Sequence, residues 1–321
     1  MDYSKCSFYN MKSKKKLFDL LYIKDDVSYN FLINNYKVFL KNGDRLVETP
    51  IQKLLVVHKR IKQLLDYSIV GQLPNYIICK KKSSWMEVGN YHKSSNSIAS
   101  IDISKFFPSV TYIMIYDLFI KKFKTSKIVA EILTNIITVN HDNLLLSKEI
   151  NNFIENINST RKVKIENIHL PTGSPVSVLL AELVCLDMYK IIRNYCNEKS
   201  IVFTVYVDDI TLSSMYCVNY HNIQRVIKIV HYFGFEINTN KTRRYNCDKS
   251  DSLLTGLVKK KRSTILTPKY DFENKLKKDI HSEFTDDILL KIRSRLCIIK
   301  YTNKKMYNYY SKLLNEKSSN I

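Results

Sequence analysis

The chain has 321 residues, 45% of them hydrophobic, which is enough apolar material for a large core and excludes a disordered protein. Its 51 lysines and arginines outweigh 30 aspartates and glutamates, giving a formal net charge of +21. This surplus favours a nucleic acid over a membrane surface as partner. No run is long and apolar enough to span a bilayer, and the start lacks a signal-peptide core, which predicts a cytoplasmic protein.

Cysteine, histidine, glycine and proline exclude several other classes of site. The seven cysteines include no C-x-x-C pair, which predicts reduced thiols. The seven histidines show no paired ligand spacing, so the sequence predicts no zinc site. Glycine and proline occur only six times each, and their positions exclude a P-loop or a dinucleotide-binding fingerprint.

A basic hairpin is the first functional pattern along the chain. Residues 36–50 predict two strands joined by a turn at Asn42 and Gly43. Lys41 and Arg45 lie at its tip, where an arginine can bind a triphosphate through paired hydrogen bonds. A solvated basic turn is the alternative.

The segments around this hairpin predict mostly helices. Residues 1–35 predict short helices, and residues 51–69 predict an amphipathic helix in which His58 is a core-edge histidine rather than a ligand. Lys80–Lys82 beside Trp85 suit either a nucleic-acid backbone or a plain solvated charge run.

The segment SIASIDISKFFPSV predicts a short strand that closes on an aspartate. Side chains alternate along a strand, so Asp102 lies on one face and Ile101 and Ile103 lie on the other. Phe106 and Phe107 follow at a helix start, and Phe106 is assigned to the core.

The segment LPTGSP predicts a loop in front of a long helix. Ser174 is the predicted N-cap and Pro175 the first helical residue. A loop at a helix N-terminus suits a phosphate or a base pair, which makes Thr172 and Gly173 candidate binding residues.

Residues 201–214, IVFTVYVDDITLSS, are the most informative stretch. Alternating apolar residues around Asp208 and Asp209 predict a strand, a tight turn and a strand, with both carboxylates at an exposed tip. Adjacent ionised carboxylates repel each other, and a divalent cation bound between them is the simplest way to offset this repulsion. An ordinary Asp-Asp turn is the alternative. If this hairpin and the strand of Asp102 are neighbours in one sheet, their carboxylates converge as a pair of Mg²⁺ ions about 4 Å apart requires.

Taken together, these segments resemble a known family. Asp102 with the Phe-Phe-Pro-Ser that follows, the loop 170–175, and Tyr206-Val207-Asp208-Asp209 are similar to motifs A, B and C of reverse transcriptases. The likeness extends from near Lys41 to near Lys269. Among reverse transcriptases, the chain most resembles those of bacterial retrons and related phage-defence enzymes.

The resemblance implies roles for individual residues. The implied ligands of two Mg²⁺ ions are Asp102, Ile103, Asp208 and Asp209. The implied nucleotide-binding residues are Lys41, Arg45, Phe107, Thr172, Gly173 and Tyr206. Lys241 matches the motif D lysine, proposed to protonate the leaving pyrophosphate and thus catalytic with the three aspartates, although a solvated lysine is the alternative. Phe107 matches the steric gate, and a bulky side chain there implies deoxynucleotide substrates.

The resemblance also implies an α+β right-hand polymerase, whose palm has an antiparallel sheet flanked by helices. Residues 1–100 would form the fingers, 101–262 the palm with a fingers-palm insertion at about 111–168, and 263–321 a small helical thumb. Residues 253–257, LLTGL, resemble the primer grip.

The implied function is RNA-directed DNA synthesis by two-metal phosphoryl transfer. A retron-like enzyme would use dNTPs to copy a dedicated structured noncoding RNA into DNA, in antiphage defence with an effector protein. Two alternatives stay open. An abortive-infection-type reverse transcriptase would make untemplated DNA, and an RNA-binding scaffold would not catalyse.

Overall fold

The computed structural model describes residues 1–43, 45–78, 84–268 and 271–318; the Lys80–Lys82 run lies outside them. The α-helices in these ranges are α1 (Lys14–Leu21), α2 (Asp26–Leu32), α3 (Gln52–Ser68), α4 (Glu87–His92), α5 (Tyr112–Asp117), α6 (Lys127–Ile137), α7 (Lys148–Thr160), α8 (Ser177–Glu198), α9 (Tyr220–Tyr232), α10 (Phe272–His281), α11 (Asp286–Thr302) and α12 (Lys304–Ser318). The strands are β1 (Tyr36–Lys41), β2 (Arg45–Pro50), β3 (Ser97–Ser104), β4 (Val139–Asn140), β5 (Ile168–His169), β6 (Val202–Tyr206), β7 (Asp209–Ser214), β8 (Glu236–Ile237), β9 (Arg243–Asn246), β10 (Ser252–Leu254), β11 (Leu257–Lys259) and β12 (Leu266–Pro268).

The strand that carries Asp102, β3, lies in the middle of an antiparallel sheet. β7 pairs with one side of β3, and β9 and β8 pair with the other side, while β6 completes the sheet next to β7. In this register Asp102 lies opposite Asp209. The predicted strand-turn-strand and the expectation that both aspartate segments share one sheet are therefore confirmed. β3 runs two residues beyond Asp102, so the aspartate does not close the strand as predicted.

The side chains of β3 are buried on both faces of the sheet. Ile98 points to one face of the sheet and Ala99, Ile101 and Ile103 point to the other, and all four are at most 1% exposed, so both faces are covered. The long helix α8 packs against β6 and α9 within the largest apolar core. Burial on this scale is the main force that holds the sheet in place.

The remaining strands form smaller units. β1 and β2 pair from Tyr36 with Pro50 to Lys41 with Arg45, which confirms the predicted basic hairpin. Asn42 and Gly43 in its turn have φ angles of 56° and 74°, a left-handed conformation that glycine adopts without steric cost. β10, β11 and β12 form a separate three-stranded sheet.

The C-terminal region is mostly helical. α10, α11 and α12 enclose a small core of their own around Leu276, Ile292 and Tyr310. None of the helices in the described ranges has the length and apolar character to cross a bilayer.

The predicted start of the long helix is wrong. α8 begins at Ser177, its N-cap residue Val176 makes no side-chain capping bond, and Pro175 precedes the helix. Ser174 is buried. His58 Nε2 donates to the carbonyl of Ile136 at 2.7 Å, so His58 Nδ1 is free to accept from the Ser174 hydroxyl, whose Oγ lies 2.6 Å away. The Ser174 hydroxyl thus bonds to His58 and also accepts from the backbone N–H of Val176 at 3.3 Å, just before the helix begins. His58 is the satisfied core histidine that was predicted.

The hairpin and the loop before α8 meet at Gly173. Its N–H donates to the carbonyl of Glu48 on β2 at 2.9 Å. A Cβ on Gly173 would lie 2.8 Å from the same carbonyl oxygen and would also collide with Thr49. The absence of a side chain is therefore what lets the two backbones touch.

We expect Gly173→Ala to lower the free energy of unfolding by about 1–3 kcal/mol, because the added methyl group forces the two backbones apart. Gly71→Ala is the matched control, since a Cβ added at Gly71 would meet no described atom within 4 Å. That change should stay within about 0.5 kcal/mol. Urea unfolding measures both, and equal midpoints would contradict the proposed close approach.

Candidate active site

A cavity of about 550 Å³ opens beside the end of β3. The predicted site residues that line it are Lys41, Arg45, Asp102, Ile103, Phe107, Thr172, Asp208 and Lys241. The lining does not include Gly173, Tyr206 and Asp209, although Tyr206 pairs with Asp209 and Asp209 pairs with Asp102 in the sheet. Segments that are far apart in the sequence thus meet around one space.

Backbone hydrogen bonds hold the two aspartate segments together. Ile103 N–H donates to the carbonyl of Asp208 at 2.9 Å. The carbonyl of Asp102 accepts from the N–H of Asn238 at 2.8 Å. Asp102 itself is only 9% exposed. These bonds set the position of the carboxylates before any ligand arrives.

The turn between β6 and β7 differs from the predicted exposed Asp-Asp tip. It consists of Val207 and Asp208, whereas Asp209 is already the first residue of β7. Both aspartates are half-buried. Val207 has a φ angle of 58°, which is unfavourable for a β-branched residue, and its side chain packs against the main core. Packing thus holds the turn in a strained conformation of the kind found at functional sites.

The electrostatics of the cavity centre on Asp208. Burial raises the pKa of its carboxyl, and the nearby charge of Asp102 raises it further, while Lys241 and Arg45 oppose the shift. Lys241 Nζ donates to Asp102 Oδ1 at 3.2 Å, although the lysine side chain is 66% exposed. Clustered carboxylate oxygens, of which that of Asp208 has a raised pKa, are a suitable donor set for Mg²⁺.

The two phenylalanines after Asp102 have different environments. Phe106 is 3% exposed and its ring lies 5.8 Å from that of Phe235, which confirms its assignment to the core. Phe107 is half-buried and its ring lies 5.5 Å from that of Phe106 while it lines the cavity. The buried ring of Phe106 therefore packs against that of Phe107.

An arginine that the sequence analysis missed braces the segment after β3. Arg161 is 8% exposed and donates to the hydroxyls of Ser104 and Ser109 at 3.1 Å each. Its Nε lies 3.6 Å from a carboxylate oxygen of Glu236. The segment predicted as a fingers-palm insertion, about 111–168, thus contributes a structural contact to the end of β3.

A buried cluster of Glu48, His141 and His169 was also missed. One atom from each residue lies within 4.8 Å of the others, and two imidazoles with a carboxylate are a donor set that zinc accepts in proteins. Sequence spacing did not indicate this cluster, because its members come from three separate segments. The available signal was Glu48 itself, an acidic residue at an inward-facing position of a strand.

Comparison with known proteins identifies the family. The sequence profile of the reverse transcriptase (RNA-dependent DNA polymerase) family matches residues 33–266. The chain belongs to this family. The match begins before the basic hairpin, includes both aspartate segments and ends in β12. The predicted fold class, an α+β right-hand polymerase, is confirmed.

Within the reverse transcriptase family, the chain is similar to the retron Ec86 reverse transcriptase of Escherichia coli, with 26% identity over 205 residues. The alignment covers 62% of this chain and 52% of the relative, so the chain spans about half of that protein's length. The predicted resemblance to retron-type reverse transcriptases is confirmed.

Two solved structures are also similar. Telomerase from Candida albicans in complex with a TWJ fragment of telomeric RNA has a TM-score of 0.43 at 11% identity, covering 91% of this chain and 60% of that one. Apo telomerase from Candida tropicalis, truncated from its C-terminal domain, has a TM-score of 0.42 at 11% identity, covering 74% and 55%. Likeness of this degree carries no argument about function.

Asp208→Asn should stabilise the protein when EDTA removes divalent cations. Because folding raises the pKa of Asp208, the ionised carboxyl costs stability at neutral pH, and this cost disappears as the pH falls below the ordinary value of 3.8. Asn has nearly the same shape and no charge. Thermal unfolding near neutral pH should therefore show a higher midpoint for the variant.

The exposed Asp248 provides the control, and Asp248→Asn should leave the midpoint unchanged. Added Mg²⁺ should raise the wild-type midpoint more than that of Asp208→Asn, because a ligand stabilises the state that binds it. A lower midpoint for Asp208→Asn in EDTA would contradict the stability cost attributed to the half-buried, ionised carboxyl.

Proposed function

We propose that the protein is an RNA-directed DNA polymerase that copies a dedicated structured noncoding RNA into DNA. The observation that carries this proposal is the convergence of Asp102 and Asp208 on one cavity that Arg45 and Thr172 also line. Membership of the reverse transcriptase family supports the reaction type. Similarity to a retron enzyme supports a noncoding RNA as template.

The carboxylates fit the Mg²⁺ that reverse transcriptases generally use. Asp102, Asp208 and Asp209 would hold two ions. Ile103, which follows Asp102 on β3 and bonds to the carbonyl of Asp208, would be a further ligand. When bound, the ions activate the primer hydroxyl and neutralise charge on the phosphates.

The other lining residues would handle the nucleotide. Arg45 and Lys41 would bind the triphosphate from the hairpin, since both are exposed at its tip. Thr172 and Gly173, with Tyr206 behind the turn, would form the platform for the incoming base pair. Lys241 would give a proton to the leaving pyrophosphate, a role for which its contact with Asp102 puts it close to the reacting atoms.

The proposed subdomains are fingers at residues 1–100, a palm at 101–262 and a thumb at 263–321. Strand ends suggest small changes to these borders. β3 begins at Ser97 and belongs to the palm sheet, and β12 pairs with β11, so the thumb would begin after Pro268. The net charge of +21 suits a protein that binds an RNA template and its DNA product, since both are polyanions.

The biological setting is part of the same proposal. A retron-like enzyme would act in the bacterial cytoplasm, in antiphage defence, together with an effector protein. The test is to purify the full chain from a bacterial host with its bound nucleic acid, add dNTPs and Mg²⁺, and sequence the RNA and any new DNA. DNA complementary to one copurifying RNA supports the proposal.

DNA without complementarity to bound RNA would instead support the untemplated, abortive-infection-type enzyme. A protein whose Asp208→Asn variant still protects cells from phage would be the non-catalytic RNA scaffold. Either result overturns the proposal in a recognisable way.

Asp102→Asn and Asp208→Asn should each reduce the rate of DNA synthesis by about a thousandfold or more, because each removes charge that stabilises the transition state. The assay is incorporation of labelled dNTP on an RNA template. Asp248→Asn is the matched exposed control and should retain the wild-type rate. Equal rates in all three variants would contradict the assigned ligands.

Phe107→Ala should increase the incorporation of ribonucleotides relative to deoxynucleotides by about tenfold or more, because the smaller side chain no longer collides with a 2′-OH. Single-nucleotide kinetics with dNTP and rNTP measure the ratio. Phe153→Ala is a useful control, since this aromatic lies on α7 and is not among the cavity-lining residues. An unchanged ratio in Phe107→Ala would remove the steric-gate assignment.

A further inference from the structure

The buried cluster of Glu48, His141 and His169 is connected by short hydrogen bonds. Glu48 and His169 are fully buried and His141 is 7% exposed. Glu48 Oε1 lies 2.7 Å from His141 Nε2 and 2.8 Å from His169 Nε2. Glu48 Oε2 accepts from the backbone N–H of Thr172 at 3.1 Å. Every one of these donors belongs to a different segment from the carboxylate that accepts.

The geometry determines the protonation state of His169. Its Nε2 faces Glu48, and its Nδ1 lies 2.6 Å from the carbonyl oxygen of Glu166. The carbonyl can only accept, so Nδ1 carries a hydrogen, and Nε2 carries one as well because Glu48, whose pKa is lowered, is ionised; the ring is thus a cation. The cluster is therefore a buried ion pair.

The charges around the cluster agree with this state. Burial by itself would lower the pKa of His169, but the charge and hydrogen bond of Glu48, together with Glu166, outweigh it and raise the pKa. Burial opposes the ionisation of Glu48, yet the two histidines lower its pKa to about 2. Tyr36 on β1 also interacts with the Glu48 charge; burial and that charge raise its pKa well above the ordinary value, so it stays neutral.

The cluster joins the two walls of the cavity. Glu48 lies on β2, the strand that begins at Arg45. His169 ends β5 and leads into the loop that carries Thr172. The backbone bond from Gly173 to the Glu48 carbonyl adds a second connection between the same strand and loop. The distance between Arg45 and Thr172 across the cavity thus depends on these bonds.

We propose that Glu48, His141 and His169 are positioning residues that hold the Arg45 hairpin against the Thr172 loop and so shape the site for the incoming nucleotide. The inference rests on the proposed polymerase function. Directional bonds to a charged group suit this task, because they hold two backbones in one register, whereas apolar contacts tolerate sliding. The distances of 2.7 and 2.8 Å from Glu48 Oε1 to the two Nε2 atoms are hydrogen-bond lengths.

The test compares Glu48→Gln and His169→Gln with His92→Gln in the full chain. His92 is an equally buried histidine, bonded to the hydroxyls of Ser213 and Thr204, that lies outside the cavity lining. We expect the two cluster variants to raise the KM for dNTP by about tenfold with a smaller change in kcat, since bonds to charged groups are lost. His92→Gln should lower thermal stability and leave the KM unchanged.

The pH dependence is a second readout. In the folded protein Glu48, with a pKa of about 2, is ionised and His169 stays charged beyond its ordinary pKa of 6.5, so the ion pair is lost only as the pH rises through the raised pKa of His169. The wild-type KM for dNTP should rise over this interval, and the step should be absent in His169→Gln. The double variant Glu48→Gln/His169→Gln should be little worse than either single variant, because both remove the same interaction.

Hydrogen exchange makes the test independent of catalysis. Glu48→Gln should lose amide protection in residues 36–50 and 168–173, whereas His92→Gln should not. If the wild type synthesises DNA but Glu48→Gln changes neither the hydrogen exchange nor the KM, the positioning role is overturned and the proposed function is not. Failure of the wild type to synthesise DNA would overturn the proposed function, while the exchange result still decides the positioning role. Stoichiometric zinc in the purified protein that is lost in His141→Gln would replace the ion pair with a metal site and overturn the inference.

Discussion

The antiparallel pairing of β3 with β7 is the constraint on which the candidate site depends. It puts Asp102 opposite Asp209 and, through the bond from Ile103 to the carbonyl of Asp208, fixes the turn beside the end of β3. The strands can hold this arrangement because β3 is buried on both faces. A register shift of one residue would send the carboxylate of Asp102 to the opposite face of the sheet.

The cavity has a second wall that the sheet does not provide. The β1–β2 hairpin supplies Lys41 and Arg45, and it is tied to the loop before α8 by the backbone bond at Gly173 and by the Glu48 cluster. These contacts are polar and short, unlike the apolar packing under β3. The two walls are thus held by different physical interactions, and a polar connection is the more sensitive to charge and pH.

Charge is distributed unevenly over the molecule. A chain with a net charge of +21 brings negative carboxylates together at the cavity and surrounds them with Lys41, Arg45 and Lys241. Burial, and to a smaller extent the charge of Asp102, raises the pKa of Asp208, so its ionised carboxyl costs the folded chain stability. Such a conflict is common where groups are arranged for chemistry rather than for stability.

The sequence by itself determined the local elements and the identity of the central residues. Alternating apolar residues around Asp208, the Asn42-Gly43 turn and the apolar face of the helix after the LPTG loop are local patterns, and short-range physics is enough to interpret them. The order of three motifs also identified the family, because each motif is a short contiguous segment. The local rules placed the start of α8 too early: the helix begins at Ser177, and the Ser174 hydroxyl ahead of it is shared between His58 and the backbone N–H of Val176.

Only the tertiary structure decided which distant groups touch. Glu48, His141 and His169 carry no recognisable spacing, and Arg161 reads as one more basic residue in a basic chain. Their roles come from burial and from hydrogen bonds to segments that the sequence does not place next to them. A buried polar group must find partners wherever the fold brings them, and that placement is a property of the packed chain as a whole.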